Sequence, residues 1–251
     1  MRTGRRQLLL LLGATAVAGC ARRAGGQSAL RAAAASDLEP AFTEIAAQFR
    51  ARTGRSVVFT FASSGSLAQQ LEHGAPYDLY ASASADHVER LLGHGRLVTG
   101  SARPFARGRV ALWTRPGVPP VTALADVSRP DLRRIAVANP EHAPYGRAAV
   151  AALHSSGLYE AVRPRLVYAE NVRQALQFAE TGNADLAMVA LTLVYGQLGT
   201  YVVPESAHPP LVQTLAVVRG GDEAGAAALA AFITGPVGQA ILQQHGFPSA
   251  N

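Results

Sequence analysis

The stretch "SVVFTFASSGSLAQQLEHG", Ser56 to Gly74, joins two unlike patterns. Its first half is β-branched and aromatic, which predicts a strand over 56–62. Its second half, "LAQQLEHG", reads as a short helix that Gly74 stops. Between them stand Ser63, Ser64, Gly65 and Ser66, and no charge appears until Glu72. A strand that runs into a helix through small polar residues is the repeating unit of an α/β protein.

The same unit recurs on both sides. "ALRAAAAS" (29–36) predicts a buried strand and "LEPAFTEIAAQFRARTG" (38–54) a helix with Leu38, Phe42, Ile45 and Phe49 at helical spacing. Asp37 can cap that helix, Pro40 suits its first turn and Gly54 ends it. Strands follow at 77–83, 110–114, 133–140, 165–170, 184–191 and 211–220, with helices at 85–95, 146–157, 171–182, 222–235 and 236–247. Alternation of this kind implies mostly parallel sheets covered on both faces. It is compatible with one continuous sheet or with two.

Four junctions lie at carboxyl ends of predicted strands, where ligand crevices form in such sheets. They are "AAAAS" before Asp37, "FTFASSGS" before Leu67, "IAVANPEHAPYG" before Arg147 and "LVYAEN" before Val172. Helix N-termini carry unpaired N–H groups and partial positive charge. Several aimed at one point bind an anion without lysine or arginine, and serine hydroxyls add rotatable donors. Such neutral donors suit a fully deprotonated oxyanion, because the N–H groups offer no acceptor for a ligand proton. The competing reading is simple helix capping, the common use of Ser and Asn at these positions.

Composition narrows the classes. The chain has 251 residues, enough for one large or two modest domains with real cores. It is 49% hydrophobic and 16% charged, which fits a globular protein and not a disordered one. The net charge is +6, yet the basic residues are all arginine and are scattered. No clustered basic face with interleaved aromatics marks nucleic-acid binding. The seven histidines show no ligand spacing, so no metal-cation site is expected. Arg147 and Arg173 read as solvated side chains, and Trp113 and Tyr195 as packing residues. "ASSGS" lacks the G-x-S-x-G elbow of a serine hydrolase, and no DNA-binding helix pair precedes the domain.

The N-terminus reads as an export signal. Arg2, Arg5 and Arg6 precede an apolar run from Leu8 to about Ala18, too short to span a membrane comfortably. Val17-Ala18-Gly19-Cys20 resembles a bacterial lipobox, which makes Cys20 the expected lipidation site and predicts a membrane-anchored, exported protein. Arg5-Arg6 also resembles a twin-arginine signal. Cys20 is the chain's one cysteine, so the mature chain has no disulfide to form. Residues 21–28 read as a tether.

"AAAASDLEPAFTEIAAQF", "FTFASSGSLAQQLEHGAPYDLYASAS", "VANPEHAPYGRAAV" and "YAENVRQALQFAETGNADLAMVAL" closely resemble the periplasmic molybdate-binding proteins of ABC transporters, the ModA family. The likeness runs from about residue 29 to "GPVGQAILQQHGF". It implies an α/β, two-lobed type II periplasmic-binding-protein fold with two hinge strands. Lobe 1 would be 29–108 plus 219–251, with the C-terminal helices packed on it, and lobe 2 would be 109–218. It further implies a monomeric, non-enzymatic receptor for molybdate or tungstate that serves a permease and carries no cofactor.

By the same resemblance Ser36 and Ser64 supply hydroxyls and N–H groups, while Tyr145 and Val172 present backbone N–H groups. Ser63 would be a structural cap. Asp37 is a secondary candidate, with its carboxylate turned away to cap its own helix. Some family members carry a tyrosine where this chain has Ala190, which would remove one hydroxyl. The alternatives are a receptor for another tetrahedral oxyanion such as sulfate, a serine-nucleophile enzyme or a sensory effector-binding domain.

Overall fold

A computed structural model describes residues 28–248. The signal segment, Cys20 and the predicted tether up to Gln27 lie outside the described residues. Within them the chain alternates as its patterns predict. The order is β1 (Leu30–Ala35), α1 (Glu39–Thr53), β2 (Val57–Ala62), α2 (Ser64–Glu72), β3 (Leu79–Ser82), α3 (Ala85–Gly93), β4 (Arg103–Gly108) and β5 (Val110–Thr114). Then come β6 (Ile135–Ala138), α4 (Pro144–Ser155), the short α5 (Tyr159–Val162), β7 (Leu166–Ala169), α6 (Val172–Glu180), β8 (Leu186–Ala190), β9 (Thr200–Val202), β10 (Leu211–Val217), α7 (Glu223–Thr234) and α8 (Pro236–Gln244).

The strands form two five-stranded sheets, ordered β2-β1-β3-β10-β4 and β7-β6-β8-β5-β9. Each is mostly parallel, as expected, with four strands running one way and one against them. In the first sheet β10 runs antiparallel to both neighbours, and in the second β5 does. These are the strands that arrive directly from the other lobe. They enter the new sheet from its cleft end, so they run against the strands already there. β4 and β9, absent from the sequence reading, are edge strands; Pro104 is tolerated in β4 because an edge needs no full hydrogen-bond ladder.

The chain first crosses between lobes at Arg109, between β4 and β5, close to the predicted 108. The return corrects the predicted boundary at 218/219. β10 already pairs with β3 and β4, so the crossing lies between Val202 and Leu211, before the strand and not after it. The hydrophobic run 211–220 carried no signal of which sheet it joins. α7 and α8 pack against α1, and α7 also reaches β4 and β10, all in lobe 1.

Apolar faces explain how the layers hold. In lobe 1 Phe42 of α1 lies against Phe59 and Phe105, with ring centroids 5.2 and 5.9 Å apart. The other face buries Leu67, Leu71, Tyr80, Leu91 and Leu97 under α2 and α3. Stacking both faces in helices leaves the carboxyl ends of β1, β2, β6 and β7 as the exits to the cleft.

Candidate anion-binding site

Four helical starts converge there. Ser36 opens a 3-10 turn directly after β1, Ser64 opens α2, Tyr145 stands in the first turn of α4, and Val172 opens α6. Residues at these positions have N–H groups with no partner inside their own helix. One small cavity is lined by Ser36, Asp37, Ser64, Tyr145 and Val172, together with Ala35, Ala62, Ser63, Ala83 and Pro144 among others. All five residues singled out in the sequence therefore meet at one place. The space between atom surfaces, counting the mouth, is about 190 Å³. That figure includes the open mouth, so the enclosed space is smaller still. A small inorganic guest fits the scale.

The two serines at the start of α2 are physically distinct. Ser63 is the N-cap: its Oγ accepts from the Ser66 N–H at 3.3 Å. The Ser64 Oγ accepts from the Ala83 N–H at 3.0 Å, and the Ser64 carbonyl accepts from the Tyr80 hydroxyl at 2.8 Å. With a lone pair engaged by Ala83, the Ser64 O–H proton is directed to the remaining side, as a donor. Ser64 is only 1% exposed, so that donor is held away from bulk water. Asn171 caps α6 through the Gln174 N–H, which leaves the N–H groups of Val172 and Arg173 at the helix tip.

Asp37 departs from expectation. It does not cap α1; that N-cap position is Leu38, with no side-chain bond. Asp37 is instead 1% exposed, with Oδ2 2.5 Å from Gln213 Nε2 and Oδ1 buried without a partner. The intervening 3-10 turn rotates the side chain inward, toward β10. Burial pushes its carboxyl up to about 6, against the opposing hydrogen bonds of Tyr145 and Gln213. Gln213 escaped the sequence reading, although a lone amide in the apolar run "LVQTLAVV" was its available signal. A bulge at Gln213/Thr214 re-aims the strand here. Tyr145 is buried beside the same group, and burial followed by the Asp37 charge raises its hydroxyl well above the ordinary value. A Cβ on Gly108 would sit 2.4 Å from Tyr145 Oη, so only glycine at this crossing lets the ring in.

The lobes touch across the cavity. The Gly65 N–H donates to the His142 carbonyl at 2.9 Å, Ser63 Oγ lies 2.8 Å from His142 Nδ1, and the Thr192 hydroxyl donates to the Asp37 carbonyl at 3.0 Å. A Cβ on Gly65 would lie 2.5 Å from the His142 carbonyl oxygen. Neither Gly65, His142 nor Thr192 carried a sequence signal, because each matters only through a partner on the other lobe. Ala190 ends β8 fully buried and outside the cavity lining, so it brings no hydroxyl. Arg173 is paired outward with Glu180 at 3.1 Å and Glu39 at 3.9 Å, and Arg147 does not line the cavity. Among the described residues no cluster of His, Cys, Asp and Glu could hold a metal ion.

Residues 30–248 match the family model of the bacterial extracellular solute-binding proteins. The chain is 34% identical over 244 residues to the molybdate-binding protein ModA of Rhodobacter capsulatus, covering 95% of this chain and 96% of that protein. The chain belongs to the ModA family of extracellular solute-binding proteins. The ModA of Azotobacter vinelandii is 33% identical over 248 residues, with 96% of each chain covered. The solved periplasmic molybdate-binding protein of that organism superposes with a TM-score of 0.83 at 30% identity, covering 87% of this chain and 98% of the other. The two-sheet architecture is thus the ModA-family fold, and the cavity sits where its two lobes close.

Proposed function

We propose that this chain is an exported receptor that captures molybdate or tungstate and hands it to the permease of an ABC transporter. One observation carries the reading: in a ModA-family chain, Ser36, Ser64, Tyr145 and Val172 surround one small cavity with neutral donors. Hydroxyls and N–H groups at helix starts replace the water shell of an oxyanion, and they work best in a dry site where the field of each dipole is little screened. Cavity size then selects among tetrahedral oxyanions, since their donor pattern is shared. The cavity is lined by residues of one chain, so a monomer is sufficient to hold the anion. The lipobox pattern supports anchoring through Cys20. Native mass spectrometry of the protein as purified tests the ligand class. An adduct of molybdate or tungstate mass that is lost on denaturation is expected; a sulfate or phosphate adduct alone would overturn the assignment.

Closure is part of this reading. Gly65→Ala should push His142 away from the tip of α2 and weaken molybdate binding by on the order of 1–3 kcal/mol, the usual cost of overpacking. Calorimetric titration would show it, while the ligand-free melting temperature stays near that of the parent chain. An unchanged affinity would remove the cross-cleft contact from the account.

One contact favours an enzyme reading enough to be weighed. Ser63, His142 and Glu170 lie in sequence, with 2.8 Å from Ser63 Oγ to His142 Nδ1 and 3.8 Å from His142 Nε2 to Glu170. The second distance is too long for the hydrogen bond that orients a catalytic base. The Ser63 hydroxyl also has Ser66 Oγ as an acceptor at 2.8 Å, so its proton is not committed to His142. We read the pair as a clasp between lobes, and covalent labelling of Ser63 by a fluorophosphonate would show otherwise.

A further inference from the structure

Asp37 is the one charged group that lines a cavity otherwise built of neutral donors. An ionised carboxylate there would repel a dianion across a dry gap, and no cation answers it. From α4 it faces Tyr145, and from β10 it faces Gln213. From the turn after β8, Thr192 bonds its carbonyl. Arg173 of α6 is held at the rim by Glu180 and Glu39 of α1. His142 is turned to Ser63 and Glu170. β2 ends in Phe61 and Ala62, which carry no charge.

The contact with Gln213 points the same way. At 2.5 Å the amide is close enough to accept from an acid O–H once its oxygen is presented. Rotating the Gln213 amide by half a turn presents Oε1 to Asp37. The rotated oxygen then accepts from the Asp37 acid 3.4 Å from the Tyr145 hydroxyl, and the amide nitrogen takes the buried position where the oxygen had no partner.

We propose that Asp37 is a specificity-determining residue that enters the closed, loaded state as the neutral acid, so that each oxyanion is bound together with one proton. The proposal rests on the oxyanion reading above. The proton comes from solvent and resides on the Asp37 carboxyl; no bond of the anion is made or broken. Neutral Asp37 leaves the cavity with no carboxylate acceptor, which favours an oxyanion that carries no proton. Ionised Asp37 would accept from a hydrogen phosphate and repel a proton-free dianion.

The sign follows from linkage. Opening that solvates the carboxyl returns it to its ordinary value, whereas burial in the closed arrangement raises it to about 6. Closing therefore takes up a proton between those values, and affinity falls as pH rises through about 6. A bound dianion extends the window upward.

The test is calorimetric titration of the full chain with sodium molybdate at pH 5.5, in two buffers of unlike ionisation heat. About three-quarters of a proton or more should be taken up per anion, and Kd should be at least about fourfold tighter than at pH 7.5. Asp37→Asn, checked for folding by its ligand-free melting curve, should take up no proton and lose this pH dependence. His142→Gln should keep both. A parent chain that takes up no proton overturns the inference, as does Asp37→Asn with undiminished uptake. The parent measurement decides even if the variant fails to fold. No molybdate binding at any pH would overturn the oxyanion reading itself, and this inference with it.

Discussion

Molybdate at about 1,000 times its Kd should raise the melting temperature of the purified chain by about 8–16 °C, because ligand bound only to the folded state adds about 4 kcal/mol, at about 2–4 °C per kcal/mol for a domain of this size. The effect is large because a closed cleft joins both lobes through the anion. Opening the protein must first give up every donor that Ser36, Ser64 and the tips of α4 and α6 supply. Tungstate should act alike. Sulfate should give a smaller shift at equal concentration, since a smaller anion cannot reach all the donors of one rigid cavity at once. A differential scanning fluorimetry series measures this in one plate. No response to molybdate or tungstate beside a clear response to sulfate or phosphate would defeat the assignment.

Ser64→Ala should cost about 1.5–3 kcal/mol of molybdate affinity, the scale of a hydrogen bond to a charged group. The Ala83 N–H would lose its acceptor at the same time, so the buried strand end is left unsatisfied. Ser63→Ala should behave differently. It removes the cap of α2, a loss of about 0.5–2 kcal/mol in stability, and its effect on affinity should be the smaller of the two. Titration calorimetry and melting curves on both variants separate the roles. Should Ser63→Ala damage affinity more than Ser64→Ala, the hydroxyl facing the anion has been misassigned.

These two serines show how far a linear pattern reaches. "ASSGS" declares a turn, a cap and a helix start, because each depends on neighbours within a few residues. It cannot say which hydroxyl is spent on the cap. That depends on Ala83, nineteen positions away, and on His142 in the other lobe. Val172 is a sharper case. It opens α6 and lines the cavity; a backbone N–H role leaves no trace in a side chain, and only family resemblance singled it out.

The lobe boundary fails for a related reason. "LVQTLAVV" is plainly a strand, and its hydrophobicity is equally good in either sheet. Pairing with β3 and β4 is a long-range choice, settled by the crossing at Arg109 and the packing of α7 on β10. Asp37 fails the other way. A local rule assigned it to a helix cap, and three residues of 3-10 turn overruled that rule by turning it inward.

By itself, then, the sequence determined the alternation of strands and helices, the uncharged helix starts and, through resemblance, four of the residues that line the cavity. Those follow from periodicity and local chemistry, which act along the chain. Only the tertiary structure decided the return crossing before β10, the cross-cleft contacts of Gly65, His142 and Thr192, and the burial of Asp37 against Gln213 and Tyr145. Each of these is a pairing between distant segments, and its energy exists only when two lobes bring together groups that no spacing along the chain relates.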